Sequence, residues 1–154
     1  PGNTGFKVWD TKFCKVGVGI CWDQWSSEAA KIMALKGAEV ILYPTAIGGE
    51  PDNNDDFDSS DMWQRAMIGH AAVNQVPIFA SNRIGSEEGY EISNFFYGRS
   101  FITDFTGEIK AEASRDKEEI LIAKIDLDEA EGFRNSWGIF RDRRPDLYKK
   151  ICDF

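Results

Sequence analysis

Histidine is nearly absent from this chain: His70 is the only one in 154 residues, and the three cysteines, Cys14, Cys21 and Cys152, are scattered. One histidine rules out the Cys2His2 zinc pattern and leaves a Ser-His-Asp triad a single position to draw on. Three thiols with no C-x-x-C spacing exclude a disulfide framework and a thiolate metal centre, so no metal and no cofactor are expected. Positive charge is in deficit as well, with 18 Lys and Arg against 26 Asp and Glu and a net charge of −8. Nucleic acid, whose phosphates need a basic face, is therefore not an expected partner. Long apolar runs are missing too, since nothing approaches the ~20 residues that cross a bilayer. "PGNTGFKVWD" carries no signal-peptide pattern. No membrane partner and a cytoplasmic location are the expectations.

What the chain does hold is enough apolar surface for one domain, with 42% hydrophobic and 13% aromatic residues. Its acidic balance suits a small cationic partner, although a solvated acidic surface is the simpler account. "FKVWD" (6–10) and "CKVGVGI" (14–20) read as strands. Ser26 and Ser27 offer N-cap oxygens to a helix that Gly37 closes. "AEVILYP" (38–44) is a continuous apolar run, as in a strand covered on both faces. Residues 14–44 therefore form a βαβ unit. A long polar stretch follows (45–61), then a helix from Asp61 to about Gln75 with a capping pair at Asp61 and Gln64. "VPIFASN" (76–82) is a further strand. "SFITDF", "EIKAEA" and "EEILIAKID" read as a meander turning at "FTGE", and "LDEAEGFRNSW" as a short helix.

Within this pattern "GVGICWDQWSSEAA" (17–30) places Cys21 at the carboxyl end of a strand, where ligands gather in α/β sheets. A helix N-terminus close by favours a thiolate. Unpaired cysteines are nevertheless mostly buried and inert, so position alone leaves both readings open.

The stretch "KVGVGICWDQWSSEAAKIMALKGAEVILYPTAIGGEP" resembles the nucleophile region of the nitrilase, or carbon-nitrogen hydrolase, superfamily. The likeness continues through "GHAAVNQVPIFASNRIG", "FYGRSFITDFTGE" and "SWGIFRDRRPDLY". It implies a four-layer α-β-β-α sandwich and a Glu-Lys-Cys triad. Carried onto this chain, Cys21 is the nucleophile and the backbone N–H of Trp22 an oxyanion donor. The family's glutamate acts as base and then acid, and its lysine steadies the oxyanion. Only 20 residues precede Cys21, they hold no glutamate, and Lys7, Lys12 and Lys15 do not match the lysine's position. Residues 1–154, with a tail over 137–154, are therefore expected to form the C-terminal half of one hydrolase domain. The N-terminal half is then a required partner, and a homo-oligomer is expected.

"CWDQW" and "YPTAIGGEP" point to the carbamoyl-polyamine branch, which implies hydrolysis of N-carbamoylputrescine to putrescine, CO2 and ammonia. An ω-amidase or other aliphatic amidase is the alternative, as is a non-catalytic fragment. Thr45, Ala46 and Ile47 end a strand at the same sheet edge as Cys21 and are expected to line the pocket. Glu50, after a Gly-Gly pair, is the candidate for a substrate ammonium, against a solvated loop glutamate. Asp23, with Gln24, is expected to shape the elbow. Glu28 either bonds that loop or serves helix-start electrostatics. Asn82 and Arg83 end another strand, with a structural role favoured over substrate contact. His70 is expected to be a packed or surface residue, Cys14 and Cys152 inert, and Arg141, Arg143 and Arg144 ion-pairing or subunit-contact residues.

Overall fold

The computed structural model describes residues 2–49, 58–89 and 93–153. In chain order the strands are β1 (Val8–Asp10), β2 (Lys15–Val18), β3 (Val40–Thr45), β4 (Gly48–Gly49), β5 (Ile78–Asn82), β6 (Ile84–Glu88), β7 (Ser93–Tyr97), β8 (Phe101–Thr103) and β9 (Ile109–Glu112). The helices are α1 (Ser27–Leu35), α2 (Ser60–Asn74) and α3 (Leu127–Trp137). β1-β2-β3-β5-β8-β9 form one six-stranded sheet, and β4-β7-β6 form a second sheet of three strands.

β2, β3 and β5 run parallel because a helix crosses between each consecutive pair, α1 from β2 to β3 and α2 from β3 to β5. Both crossovers lie on one face of the large sheet, where α1 packs on α2. The core between sheet and helices holds Met33, Ile41, Tyr43, Trp63, Met67, Ile78 and Phe101, none with any exposed surface. Trp63 anchors it, with ring centroids 5.7 Å from Tyr97 and 5.5 Å from Phe101. α3 starts on an N-cap, Asp126 Oδ1 accepting from the Glu129 N–H at 3.0 Å, and ends at Gly138 with φ +68. Its Arg134 donates to the Gln75 carbonyl at 2.8 Å, which ties it to the end of α2.

The opposite face of the large sheet has no helix over it among the described residues. Val18, Leu42, Phe79 and Ile102 line a groove there of about 370 Å³, joined by Glu119 and Leu121. The apolar run of β3 thus reads correctly on its helical side, while on the other Leu42 is half-buried and Pro44 exposed.

Three further expectations are corrected. "EEILIAKID" is not a strand: residues 118–126 pair with nothing among those described, and Ile120 and Ile122 are 90% and 87% exposed. Its alternation is real, but a strand needs a neighbour to hydrogen-bond. The hydroxyls of Ser26 and Ser27 do not cap α1; both donate to Glu28, at 3.0 and 3.1 Å. Asp61 and Gln64 form no capping pair either, because Arg99 takes both side chains, and Asp58 instead accepts from the Ser60 N–H at 2.9 Å. A charged guanidinium is a stronger partner than a helix N–H. The small sheet was not expected at all.

Gly98 leads from β7 into that Arg99 hub with φ +59, and a Cβ there would meet the Arg115 carbonyl oxygen at 2.5 Å. Gly98→Ala should therefore lower stability by about 2 kcal/mol or more, from left-handed strain plus the clash. Urea midpoints check this; an unchanged midpoint would contradict it.

Candidate active site

The carboxyl ends of three parallel strands converge on one edge of the large sheet. β2 leads to Gly19, whose N–H continues the ladder by donating to Leu42 O at 3.0 Å. Any side chain at Gly19 would strike Tyr43, 2.7 Å from the position of a Cβ. The chain then turns sharply into a single 3₁₀ stretch, Cys21–Trp25. Cys21 itself takes φ +48, a left-handed conformation that costs a non-glycine residue about 1–2 kcal/mol. Such an outlier needs surrounding structure to hold it.

Five contacts do so. Asp23 Oδ2 accepts from the Ile20 N–H at 2.8 Å, and the Asp23 N–H donates back to Ile20 O at 3.1 Å. Gln24, wholly buried, accepts from Thr45 Oγ1 at 3.0 Å. His70 Nε2 lies 2.9 Å from the Gln24 carbonyl, and since a carbonyl only accepts, the ring proton sits on Nε2. Cys21 Sγ lies 4.0 Å from Ala46 O. Next to it Trp22 stands 75% exposed with its indole edge-on to Trp25 at 6.3 Å. The Trp22 N–H makes no hydrogen bond among the described residues.

Thr45 ends β3, and Ala46 and Ile47 follow it, with the Ala46 carbonyl against Cys21. Asn82, at the end of β5, ties this edge together: its Oδ1 accepts from Ile47 N at 2.9 Å, and its Nδ2 donates to the carbonyls of Ile47 and Gly98 at 3.0 and 2.9 Å. Arg83 is drawn elsewhere, bonded to Glu87 at 3.0 Å and stacked over Phe96 at 4.5 Å. Glu50 lies outside the described residues. Glu28 bonds the two serine hydroxyls rather than the elbow's backbone. Its own backbone N–H, then those hydroxyls, hold its carboxyl below the usual glutamate range. Tyr97 is a neighbour that sequence reasoning missed: its hydroxyl is pushed up by burial first, with the charge of Cys21 adding to the shift. His70 was read as a packed or surface histidine, and it is packed. Its polar contact was signalled only by its place on the Trp63, Met67, Ala71 face of α2.

No lysine or arginine among the described residues bonds any part of the elbow, 20–25. No group of three His, Cys, Asp or Glu there could hold a metal. Among the described residues, the arrangement thus supplies a thiol on a strained backbone, a Trp22 N–H with no hydrogen-bond partner, and no proton-transfer partner bonded to the thiol.

Two measurements follow. Asn82→Ala should cost about 1–3 kcal/mol in chemical unfolding, because it strands the Ile47 and Gly98 backbone groups. Because Glu28 titrates lower when folded, its stabilising effect is present above the ordinary glutamate range and fades as pH falls through the folded value. Glu28→Gln should therefore flatten the acid side of a melting-temperature profile as pH falls below the ordinary glutamate range; parallel profiles would contradict this.

Comparison with known proteins supplies the context. The model of the carbon-nitrogen hydrolase family matches residues 1–135. A citrullinase of Francisella tularensis is 60% identical over 98% of this chain and 52% of its own length. An N-carbamoylputrescine amidase of Arabidopsis thaliana is 58% identical, with the same 98% and 52% coverage. The crystal structure of a carbon-nitrogen hydrolase from Helicobacter pylori G27 superimposes with a TM-score of 0.93 at 41% identity, over 99% of this chain and 54% of that one. The chain spans about half the length of the curated relatives it matches. A βαβ sheet with a thiol turned outward at its carboxyl edge, and a family model covering most of its length, lead to one statement: this chain belongs to the carbon-nitrogen hydrolase family.

Proposed function

We propose that this chain is the C-terminal half of a hydrolase domain that cleaves a ureido C–N bond, with Cys21 as nucleophile. The observation that carries the reading is the left-handed Cys21 at a strand's carboxyl end, its thiol beside the unbonded Trp22 N–H. The thiolate adds to the carbamoyl carbonyl, and the oxyanion that forms accepts from that N–H. Collapse expels one nitrogen as amine and leaves a thioester-type intermediate. Water then breaks the C–S bond. The carbamate or carbamic acid released gives CO2, so that one water in all converts N-carbamoylputrescine to putrescine, CO2 and ammonia.

The general base and the oxyanion-stabilising lysine are supplied by the N-terminal half of the domain. The same half covers the open sheet face around Leu42 and Phe79, completing the four-layer sandwich. Support comes from the relatives, which are about twice as long as this chain. Both named relatives are consistent with a ureido group on a short alkyl chain bearing an ammonium. N-carbamoylputrescine is the substrate we favour, and Thr45, Ala46, Ile47 and Glu50 are the residues assigned to its binding. Subunits pair through the exposed apolar residues at the end of α3 and beyond, Trp137, Leu147 and Ile151.

The test is ammonia release from N-carbamoylputrescine and from citrulline by the full-length protein. Hydrolysis should fall by at least about 10⁴-fold in Cys21→Ala. Residues 1–154 alone should be inactive and regain turnover when the N-terminal half is added. Turnover by residues 1–154 alone would sink the division of labour, and an active Cys21→Ala enzyme would sink the nucleophile.

A further inference from the structure

We infer that His70 is a positioning residue for the reaction, acting through the Gln24 carbonyl to fix the conformation of Cys21; this rests on the hydrolase reading above. In the turn Cys21–Trp25, backbone N–H groups take the carbonyls of Ile20 and Asp23, at 3.1 and 3.2 Å. The Gln24 carbonyl is taken instead by a side chain 46 residues away, His70 Nε2 at 2.9 Å. Both residues are out of water, Gln24 with no exposed surface and His70 with 7%. His70 is itself rigid: it sits mid-way along α2 on the buried face, and Asn74 Nδ2 donates to its carbonyl at 2.9 Å.

The consequence is geometric. The Asp23 bonds are local to residues 20–23, and the Gln24–Thr45 bond holds a side chain. Among the described residues, only the His70 bond fixes the backbone of the turn to a separate helix. The left-handed Cys21 and the direction of the Trp22 N–H both depend on that backbone. Without the donor, a buried carbonyl is left unmet and the turn relaxes toward water. The thiol and the oxyanion donor then lose their shared aim, while the pocket formed by the ends of β3 and β5 stays in place. Glu28, at the start of α1, is near enough for His70 to make the last and smallest contribution to the lowering of its carboxyl. Asn74 contributes a neutral contact to the His70 backbone, and the bond to Gln24 uses the Nε2 proton.

The experiment compares His70→Met, which keeps volume and removes the donor, with His70→Gln, whose amide N–H reaches the place of Nε2. Both are made in the full-length protein, alongside His70→Asn, which is too short. Four quantities are read: kcat, KM for N-carbamoylputrescine, the unfolding midpoint, and the rate of Cys21 alkylation by iodoacetamide, followed by peptide mapping. In His70→Met, kcat should fall roughly 10- to 100-fold with KM within about threefold. Alkylation of Cys21 should change by at least about fivefold, and His70→Gln should restore both to within about threefold of wild type. A lower midpoint with kcat and alkylation unchanged overturns the inference and makes His70 an ordinary core residue. If His70→Met does not fold, equal behaviour of the Gln and Asn variants overturns it, and recovery by Gln alone supports it. Failure of the wild type to cleave any ureido substrate removes the hydrolase reading, yet the alkylation comparison still decides whether His70 positions the thiol.

Discussion

The parallel register of β2, β3 and β5 is the constraint on which the whole edge depends. Val16 faces Val40, and Ile41 faces Ile78, so the three carboxyl ends finish level with one another. From that level the Ala46 carbonyl meets Cys21, and Asn82 meets Ile47, with no further adjustment of the chain. Register is held by burial. A slip of one residue would send Tyr43, which has no exposed surface, to the open face and bring Leu42 inward.

Much of this was legible in the sequence because it is local. The βαβ unit announces itself through an apolar run, a helical spacing and Gly37 with φ +89. Cys21 at a strand end was legible for the same reason. Three kinds of feature were not. The small sheet is hidden because "IGSEE" and "SNFFY" carry polar residues on both faces and lack alternation. The cap of α1 was misread because Glu28 takes both serine hydroxyls, and that of α2 because local signals compete with a distant cation: Arg99, with φ +57, gathers Ser60, Asp61, Gln64 and Glu112 from two elements. The contact of His70 was invisible because its partner is a backbone carbonyl, and a carbonyl has no letter in a sequence.

The two faces of the large sheet divide the chain's energetics. On the helical side, Trp63, Met67 and Met33 are packed without exposed surface, as in any complete domain. On the other, Val18, Leu42 and Phe79 are apolar residues still in reach of solvent. β3 is thus written for a strand covered twice, while its surroundings in this chain cover it once. The elbow lies between these two regimes, supported from the helical side through His70.

The unpaired stretch 118–126 carries a consequence in the economy of the cell. Ile120 and Ile122 flank Leu121 in an extended stretch and are themselves 90% and 87% exposed, the form that chaperones and proteases grip and that stray strands adhere to.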